Sequence, residues 1–391
     1  MGRRAKVTLF SVLGVVGALV LGAGGYVGYI VMSYSRIGNV PLDIRQNSTR
    51  EKVHVGDELK CTTYNLGFGA YSQDFTFFMD TGYDEQGNKT KGHKSKADNK
   101  ASVYFNIYGA VDVIKNMKPD FAFFQEVDID STRSFNINQD EIIQENFLEY
   151  DSVFANNFHT SFLPYPLHDM HGEVQAGLTT VSKYKVKEAH RKEYTVSSSL
   201  SKLFDLDRCF SYVVCEVDNG KNLYMVNSHM SAYDKGGVIK TKQMQELNEF
   251  LKACKEEGDY VVVGGDFNND LVTFNPKLES NAHYNTTNNR VFGETKKDPD
   301  WVMRFFNEDE TSPLIEGYQV IASDNAPTCR NNDIKWEKGK TYTTVVDGFI
   351  VSSNITVTNI KNVTTEFGNL GTEGFAFSDH EPVRMEFKLN A

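Results

Sequence analysis

The chain has 391 residues, 40% hydrophobic and 12% aromatic, enough to bury a sizeable core and unlike a disordered, collagen-like or small disulfide-scaffold sequence. Its net charge is −11, but Arg3, Arg4, Lys6 and Arg36 flank an apolar N-terminus without a single acid, so from Ile37 onward 37 basic residues face 52 acidic ones, a net of −15. A body that acidic lacks the broad positive field of a protein that coats nucleic acid or anionic lipid, and any polyanion must be gripped by local cations or a metal. Five cysteines with no C-x-x-C pair argue against both a disulfide framework and a thiolate zinc site.

Val7 to Met32, VTLFSVLGVVGALVLGAGGYVGYIVM, carries no charge and is long enough as a helix to cross a hydrocarbon core of about 30 Å. It exceeds the apolar run of about 7 to 15 residues in a cleavable signal, and no clean A-x-A site follows, so an uncleaved anchor is expected, with a cleaved signal as the alternative. Arg3, Arg4 and Lys6 precede the span, which makes residues 1–6 a cytoplasmic tail, 7–32 the transmembrane anchor and the rest extracellular. Arg36 and Arg45 beyond the span lessen that bias without reversing it. Residues 33–57, polar and carrying Pro41, read as a linker, and residues 58–391 as one domain without repeats.

From Leu59 the sequence repeats one theme, a short apolar β-prone run that ends on polar residues. The runs are Leu59 to Tyr64 before Asn65, Phe121 to Phe124 before Gln125 and Glu126, and Leu223 to Val226 before Asn227, Ser228 and His229. Tyr260 to Val263 then precedes Gly264, Gly265 and Asp266, and Thr344 to Val351 carries Asp347 within it. Helices are predicted over Lys100 to Met117, stopped by Pro119, and over Gly237 to Glu257, stopped by Gly258. Strands alternating with helices describe a layered α/β protein, whose ligands gather beyond the strand ends.

Those ends supply Asn65, Glu126, His229, Asp266, Asn268, Asp347, Asp379 and His380. Four carboxylates, two carboxamides and two histidines without a cysteine suit a hard cation with oxygen ligands and proton-handling groups beside it, the equipment of phosphoester hydrolysis. Taken singly, Asp266 and Asn268 could be turn formers and either histidine a satisfied core residue. Glu126 is harder to dismiss, because a carboxylate closing an apolar run is costly to bury unless paired or metal-bound.

The matching pieces are Thr63-Tyr64-Asn65-Leu66, Phe124-Gln125-Glu126-Val127, Ala176-Gly177-Leu178 running to Ser182, Asn227-Ser228-His229, Gly264-Gly265-Asp266-Phe267-Asn268, Val346-Asp347-Gly348-Phe349 and Ser378-Asp379-His380-Glu381-Pro382-Val383. Together, and in this order, they resemble the endonuclease/exonuclease/phosphatase superfamily of deoxyribonuclease I, abasic-site endonucleases, neutral sphingomyelinases and inositol polyphosphate phosphatases. The resemblance implies a four-layer α/β/β/α sandwich of two mixed sheets, preceded here by one N-terminal transmembrane helix. It implies Glu126 as principal magnesium ligand (manganese in its place as a second choice), with Asn65 beside it and Asp379 near the metal. Asp266 would orient or deprotonate the attacking water, and Asn268 would hold a phosphate oxygen. His380, oriented by Asp347, would stabilise charge on the phosphate, and His229 would act from the opposite side. Arg208 matches a position where the family often places a phosphate-contacting arginine, with a strand-edge salt bridge as the alternative. Where the family usually has arginine after the serine of its central motif, Lys183 follows Ser182, which puts a phosphate contact there in doubt.

The expected activity is a membrane-anchored, extracytoplasmic, magnesium-dependent phosphodiesterase. Nucleic acid is the first substrate expectation, with a sphingomyelinase-type phospholipase C or an inositol-phosphate phosphatase as alternatives and a catalytically dead surface receptor as a third class. The expected partners are the phosphoester substrate, a nucleic acid or a phospholipid headgroup, and a bilayer around residues 7–32. Three further features stay outside that set. His168 and His171 are read as a solvated or substrate-lining loop. The lysine-rich run from Asn88 to Lys100 is read as a solvated face, and Tyr71, Phe75, Phe77 and Phe78 as packing under a long loop.

Overall fold

Period-two alternation along single strands decides the layering. In the strand Phe121–Asp128, Phe121 and Phe123 pack with Val213, Met225, Val262 and Phe349 of a second sheet. Ala122 and Phe124 on the other face pack with Val103, Ile107, Val111 and Ile114 of the helix Lys100–Asn116. In the strand Tyr260–Asp266, Val262 likewise points between the sheets, while Val261 and Val263 meet Leu247 and Leu251 of the helix Val238–Glu257. The result is helix, sheet, sheet, helix, the four-layer sandwich expected. The computed structural model describes residues 2–33, 35–84, 86–197, 207–232, 237–271, 299, 301–303, 305–307, 311–323, 325–366 and 374–391.

Both sheets have seven strands and both are mixed. The first runs in spatial order Ile355–Asn362, Val383–Leu389, Leu59–Asn65, Phe121–Asp128, Gly172–Ser182, Asp151–Leu163 and Ile44–Arg45. The second runs Val40–Pro41, Glu188–Glu193, Cys209–Glu216, Asn222–His229, Tyr260–Asp266, Asp347–Ser352 and Tyr318–Ile321. Each sheet contains a single parallel pair among these strands, Leu59–Asn65 with Phe121–Asp128 and Asn222–His229 with Tyr260–Asp266. A parallel pair needs a crossover, and the two long helices lie in those crossovers. Their ends follow from capping: Asn99 and Ser102 form a reciprocal capping box, and Gly258 closes the second helix at φ 70°, a conformation that favours glycine.

Two expectations need correction. Residues 33–57 are not a free linker. Val40–Pro41 and Ile44–Arg45 add an edge strand to each sheet, and Val53 is buried in the core between the sheets. Val40, Leu42 and Ile44 alternate with other residues, a strand period that Pro41 obscures, since proline fits edge strands. The strand expected over Thr344 to Val351 is two, Thr343–Thr344 and Asp347–Ser352, so Asp347 opens a strand instead of lying within one. The helix Arg3–Ser33 forms as expected, and its stretch Arg3–Ile30 is long and apolar enough to cross a membrane, with most of its apolar side chains exposed and Ile30 buried. All five cysteines are free and buried.

A buried polar seam ties the two sheets. Asn227 accepts from Gln125 Nε2 at 2.8 Å and donates to the carbonyls of Phe124 at 3.2 Å and Thr179 at 3.1 Å. Asn227→Ala removes these three bonds, with Gln125 Nε2 keeping only Thr63 Oγ1 at 3.1 Å, at an expected cost of about 1–3 kcal/mol. Thermal unfolding of the full chain in detergent, followed by near-ultraviolet circular dichroism, checks this; an unchanged midpoint would show the seam to be replaceable.

Candidate active site

Both parallel pairs finish at one edge of the sandwich, and each strand finishes on a polar residue. Asn65, His229 and Asp266 are the last residues of their strands. Asp347, the first residue of an antiparallel neighbour, stands opposite Asp266 in register. Glu126 reaches the same edge through a bulge: Phe124 pairs with Thr179 and Val127 with Gly177, so Gln125 and Glu126 together oppose one residue. Glu126 takes φ 53°, a left-handed conformation that a non-glycine residue holds only where its surroundings impose it. Gly265 has φ 149°, and a Cβ there would lie 1.9 Å from the Ser228 carbonyl oxygen. Only glycine lets the neighbouring strand approach so closely just before Asp266.

Asp266 is the meeting point. Its buried carboxylate accepts from Asn65 Nδ2 of the other sheet at 3.1 Å and from the Asn268 amide at 2.8 Å. His229 Nε2 lies 3.4 Å and His380 Nε2 3.7 Å from the same oxygen, Oδ2. Glu126 Oε1 is 3.4 Å from Asn65 Nδ2 and 3.9 Å from His229 Nε2. His380 Nδ1 bonds to Asp347 Oδ2 at 2.7 Å. Asp379 accepts from Asn332 Nδ2 at 2.7 Å and from Ser378 Oγ at 3.2 Å. Asn268 spends one N–H on the Met230 carbonyl at 2.9 Å, and among the described residues its second N–H is left to meet a substrate oxygen.

Charge is distributed unevenly here. Burial alone would raise the Asp266 carboxyl, but His380, His229 and the Asn268 amide hold it well below the usual carboxylate range. Burial would likewise lower His380; the Asp347 carboxylate, together with Cys329 and Asp266, outweighs it and holds the imidazole well above its ordinary value. His229 shifts the other way, lowered by burial and by Arg208. One histidine is thus poised as a cation and the other as a neutral base on either side of one carboxylate.

Glu126, Arg208, His229, Asp266, Asn268, Asp379 and His380 line a single pocket. Asn65 and Asp347 reach it through Asp266 and His380. Arg208 is buried in that lining, a placement that suits a phosphate contact better than a surface salt bridge. Lys183 pairs with Asp120 at 3.8 Å, beside the start of the strand whose far end carries Glu126, so no phosphate contact arises there. The rest of the lining includes Phe68, Tyr71, Phe77, Phe78, Arg133 and Trp301. The aromatic cluster expected to pack under a loop therefore does so and also walls the pocket. His171 is buried beside it, held to the Ser95 carbonyl at 2.9 Å and lowered to about 3 by burial and by Arg133, while His168 is exposed.

Sequence reasoning missed Arg330 and Asn332. Arg330 is buried in the lining, and its Nε and Nη1 have no hydrogen-bond partner among the described residues. The run Thr328-Cys329-Arg330-Asn331-Asn332 carries a signal, a cation and two amides after a short apolar stretch, but its two-residue strand is too brief to show a period.

The donor set fits a divalent cation. Glu126, Asp266 and Asp379 offer carboxylate oxygens and Asn65 an amide oxygen that also accepts from the Gly67 amide at 3.0 Å, and among the described residues the Glu126 carboxylate receives one hydrogen bond, the 3.4 Å contact from Asn65 Nδ2, too little for a half-buried charge. Donor atoms of Asp266, Asp347 and His380 also lie within 4.8 Å of one another. We favour the Glu126 side, because Asp347 already occupies His380 Nδ1 and a protonated imidazole does not bind metal.

The profile described as the endonuclease/exonuclease/phosphatase family matches residues 103–380. Among solved structures, the chain is similar to ANGEL2, titled a 2',3'-cyclic phosphatase in complex with adenosine-2',3'-vanadate, at 12% identity and TM-score 0.51, covering 90% of this chain and 99% of that one. It is also similar to truncated TDP2 of Caenorhabditis elegans (12% identity, TM-score 0.48, 85% and 98% covered) and to the human Nocturnin catalytic domain with bound sulfate (13%, 0.47, 89% and 97%). No curated protein sequence matches it.

The coupling between Asp347 and His380 is directly measurable. Because its partner favours the cation, the stability that His380 contributes is full below the ordinary value of 6.5 and is lost as pH rises through the elevated folded value. Asp347→Asn removes that partner and lowers the imidazole pKa in an NMR titration; an unmoved titration would contradict the pairing.

Proposed function

The chain belongs to the endonuclease/exonuclease/phosphatase family, which makes it a metal-dependent phosphoester hydrolase, and from that premise we propose that it is a magnesium-dependent phosphodiesterase held at the cell membrane by its N-terminal helix. The observation that carries the chemistry is the bracketing of Asp266 by two histidines of opposite character, at 3.4 and 3.7 Å.

Asn65, Glu126 and Asp379 would hold the ion, and oxygen donors suit magnesium, with manganese as a substitute. When bound, the ion neutralises phosphate charge and acidifies water. The remaining work falls to side chains. Asp266, ionised across the working pH range, orients the attacking water and accepts its proton. His380 donates from Nε2 to a phosphate oxygen while Asp347 holds the ring in place through Nδ1. Arg208 and Arg330 add fixed positive charge where the phosphate gathers negative charge, and the spare N–H of Asn268 holds another of its oxygens. His229, kept neutral by burial and Arg208, handles the proton at the leaving oxygen. Every one of these residues is present, which disfavours the dead-receptor reading.

The helix carries Arg3, Arg4 and Lys6 at its start and no charge from Val7 to Met32, so the positive-inside preference supports a cytoplasmic N-terminus and an extracellular catalytic domain. A nuclease-type substrate comes first on family grounds. The phospholipase C reading is supported by the pocket residue Leu163, which packs on Tyr26 and Ile30 of the helix.

With the full chain in detergent, hydrolysis of bis(p-nitrophenyl) phosphate is expected to stop with chelator and return with magnesium. Asp266→Asn and His380→Ala are each expected to lower turnover at least 100-fold, within the range of about 10²–10⁴ for acid–base groups. Near-normal turnover in either variant removes that residue from the mechanism, and turnover in chelator removes the metal.

A further inference from the structure

The N-terminal helix is not merely attached to the catalytic domain; it is docked beside the pocket. Tyr26 and Ile30 pack against Leu163, and the Tyr26 hydroxyl donates to the Phe162 carbonyl. Leu163 itself lines the pocket. Beyond the helix end the connection is short. Arg36 pairs with Glu193 at 2.9 Å and with Asp207 at 3.5 Å, and the Ile37 amide donates to Asp207 at 2.9 Å, one residue before the pocket arginine Arg208. The globule therefore cannot swing far from the helix.

The stretch 162–170, the end of that strand and the loop after it, exposes several large apolar side chains. Phe162 is 43% exposed, Tyr165 52%, Leu167 78% and Met170 38%, four large apolar residues within nine positions. Its inner side belongs to the pocket: Tyr165 packs on Phe78 with ring centroids 5.7 Å apart, and Phe78 and His171 are lining residues. Asp169 pins the loop to the lysine-rich segment, accepting from the Ser95 amide at 2.7 Å and pairing with Lys96 at 3.3 Å. Lys89, Lys91 and Lys100 of that segment are exposed.

Length arithmetic places this loop relative to a bilayer. The 26 uncharged residues from Val7 to Met32 make a helix of about 39 Å, roughly 9 Å more than the hydrocarbon core. The surplus amounts to about six residues, so the last two turns, which hold Tyr26 and Ile30, stand at the membrane–water boundary where tyrosine is favoured. The strand end Phe162–Leu163 packed on those turns is then at the same depth, and the loop with the exposed apolar side chains continues directly from it.

We propose that residues 162–170 are embedded in the outer surface of the bilayer that holds the helix, and that the pocket draws its phosphodiester from that membrane: the substrate is a phospholipid. This rests on the phosphodiesterase reading and names its substrate class. The tether raises the local concentration of such a substrate, and the acidic body needs no broad attraction for a ligand delivered this way.

The test uses the full chain reconstituted in vesicles of phosphatidylcholine and sphingomyelin in equal parts, with magnesium. Because the five native cysteines are buried, Leu167→Cys takes an environment-sensitive dye selectively. Blue-shifted emission quenched by doxyl-labelled lipid is expected, and emission typical of water overturns the membrane contact. Leu167→Glu with Met170→Glu is expected to cut hydrolysis of vesicle phospholipid at least tenfold while leaving bis(p-nitrophenyl) phosphate turnover within twofold. An unchanged lipid rate, or an equal loss on both substrates, overturns the proposal. Wild-type turnover of the soluble diester or of plasmid DNA with vesicle lipid untouched also overturns it and leaves the phosphodiesterase reading standing. No turnover of any substrate sinks that reading and the substrate assignment with it, while the dye still decides the membrane contact.

Discussion

One buried carboxylate organises the catalytic end of this molecule. Asp266 is reached by Asn65 from the opposite sheet, by His229 from the adjacent parallel strand, by His380 from the C-terminal segment and by the amide of Asn268 from its own loop. Each neighbour is a donor or a cation, and a buried charge persists only with such company. The carboxylate therefore constrains both sheets at once: shift either along its strands and a buried ion loses partners. The Gln125–Asn227 contact one residue back from the Glu126 and Ser228 positions repeats the demand in neutral form. Stability and chemistry draw on the same seam, which is why the sheets must meet in one register.

That register has an internal logic. Each sheet carries one parallel pair with a helix in its crossover, and the C-terminal ends of the two pairs supply Asn65 and Glu126 on one side and His229 and Asp266 on the other. In open α/β sheets ligands bind beyond the carboxyl ends of parallel strands. Here two such edges face each other, and the pocket is the space they share. Antiparallel neighbours complete it, since pairing Asp347 against Asp266 brings the start of one strand to the end of another.

Much of this was legible in the sequence because the strands are short, apolar and closed by residues that resist burial. Asn65, Glu126, His229 and Asp266 stand out for that reason, and the helices between them announce their stops with Pro119 and Gly258. Where legibility failed, the local signal was masked or absent. Pro41 hid an edge strand that the spacing of Val40, Leu42 and Ile44 encodes. Cys329–Arg330 is too short for any period, so a buried arginine of the pocket went unnoticed. The bulge at Glu126 could not be foreseen, because its φ of 53° is imposed by pairing across the sheet and not by the residue's own preference. The docking of Tyr26 and Ile30 on Leu163 joins positions more than 130 apart, beyond the reach of pattern reading.

The central claim is that these scattered residues converge to hold one divalent ion beside Asp266, with Glu126 as its principal ligand. Manganese binding to the full chain, followed by electron paramagnetic resonance, tests it most directly. The account predicts a tightly bound ion in the wild type, its loss in Glu126→Gln and its retention in Asp347→Asn. Binding that survives Glu126→Gln and disappears with Asp347→Asn would contradict it and move the metal to the far side of the pocket.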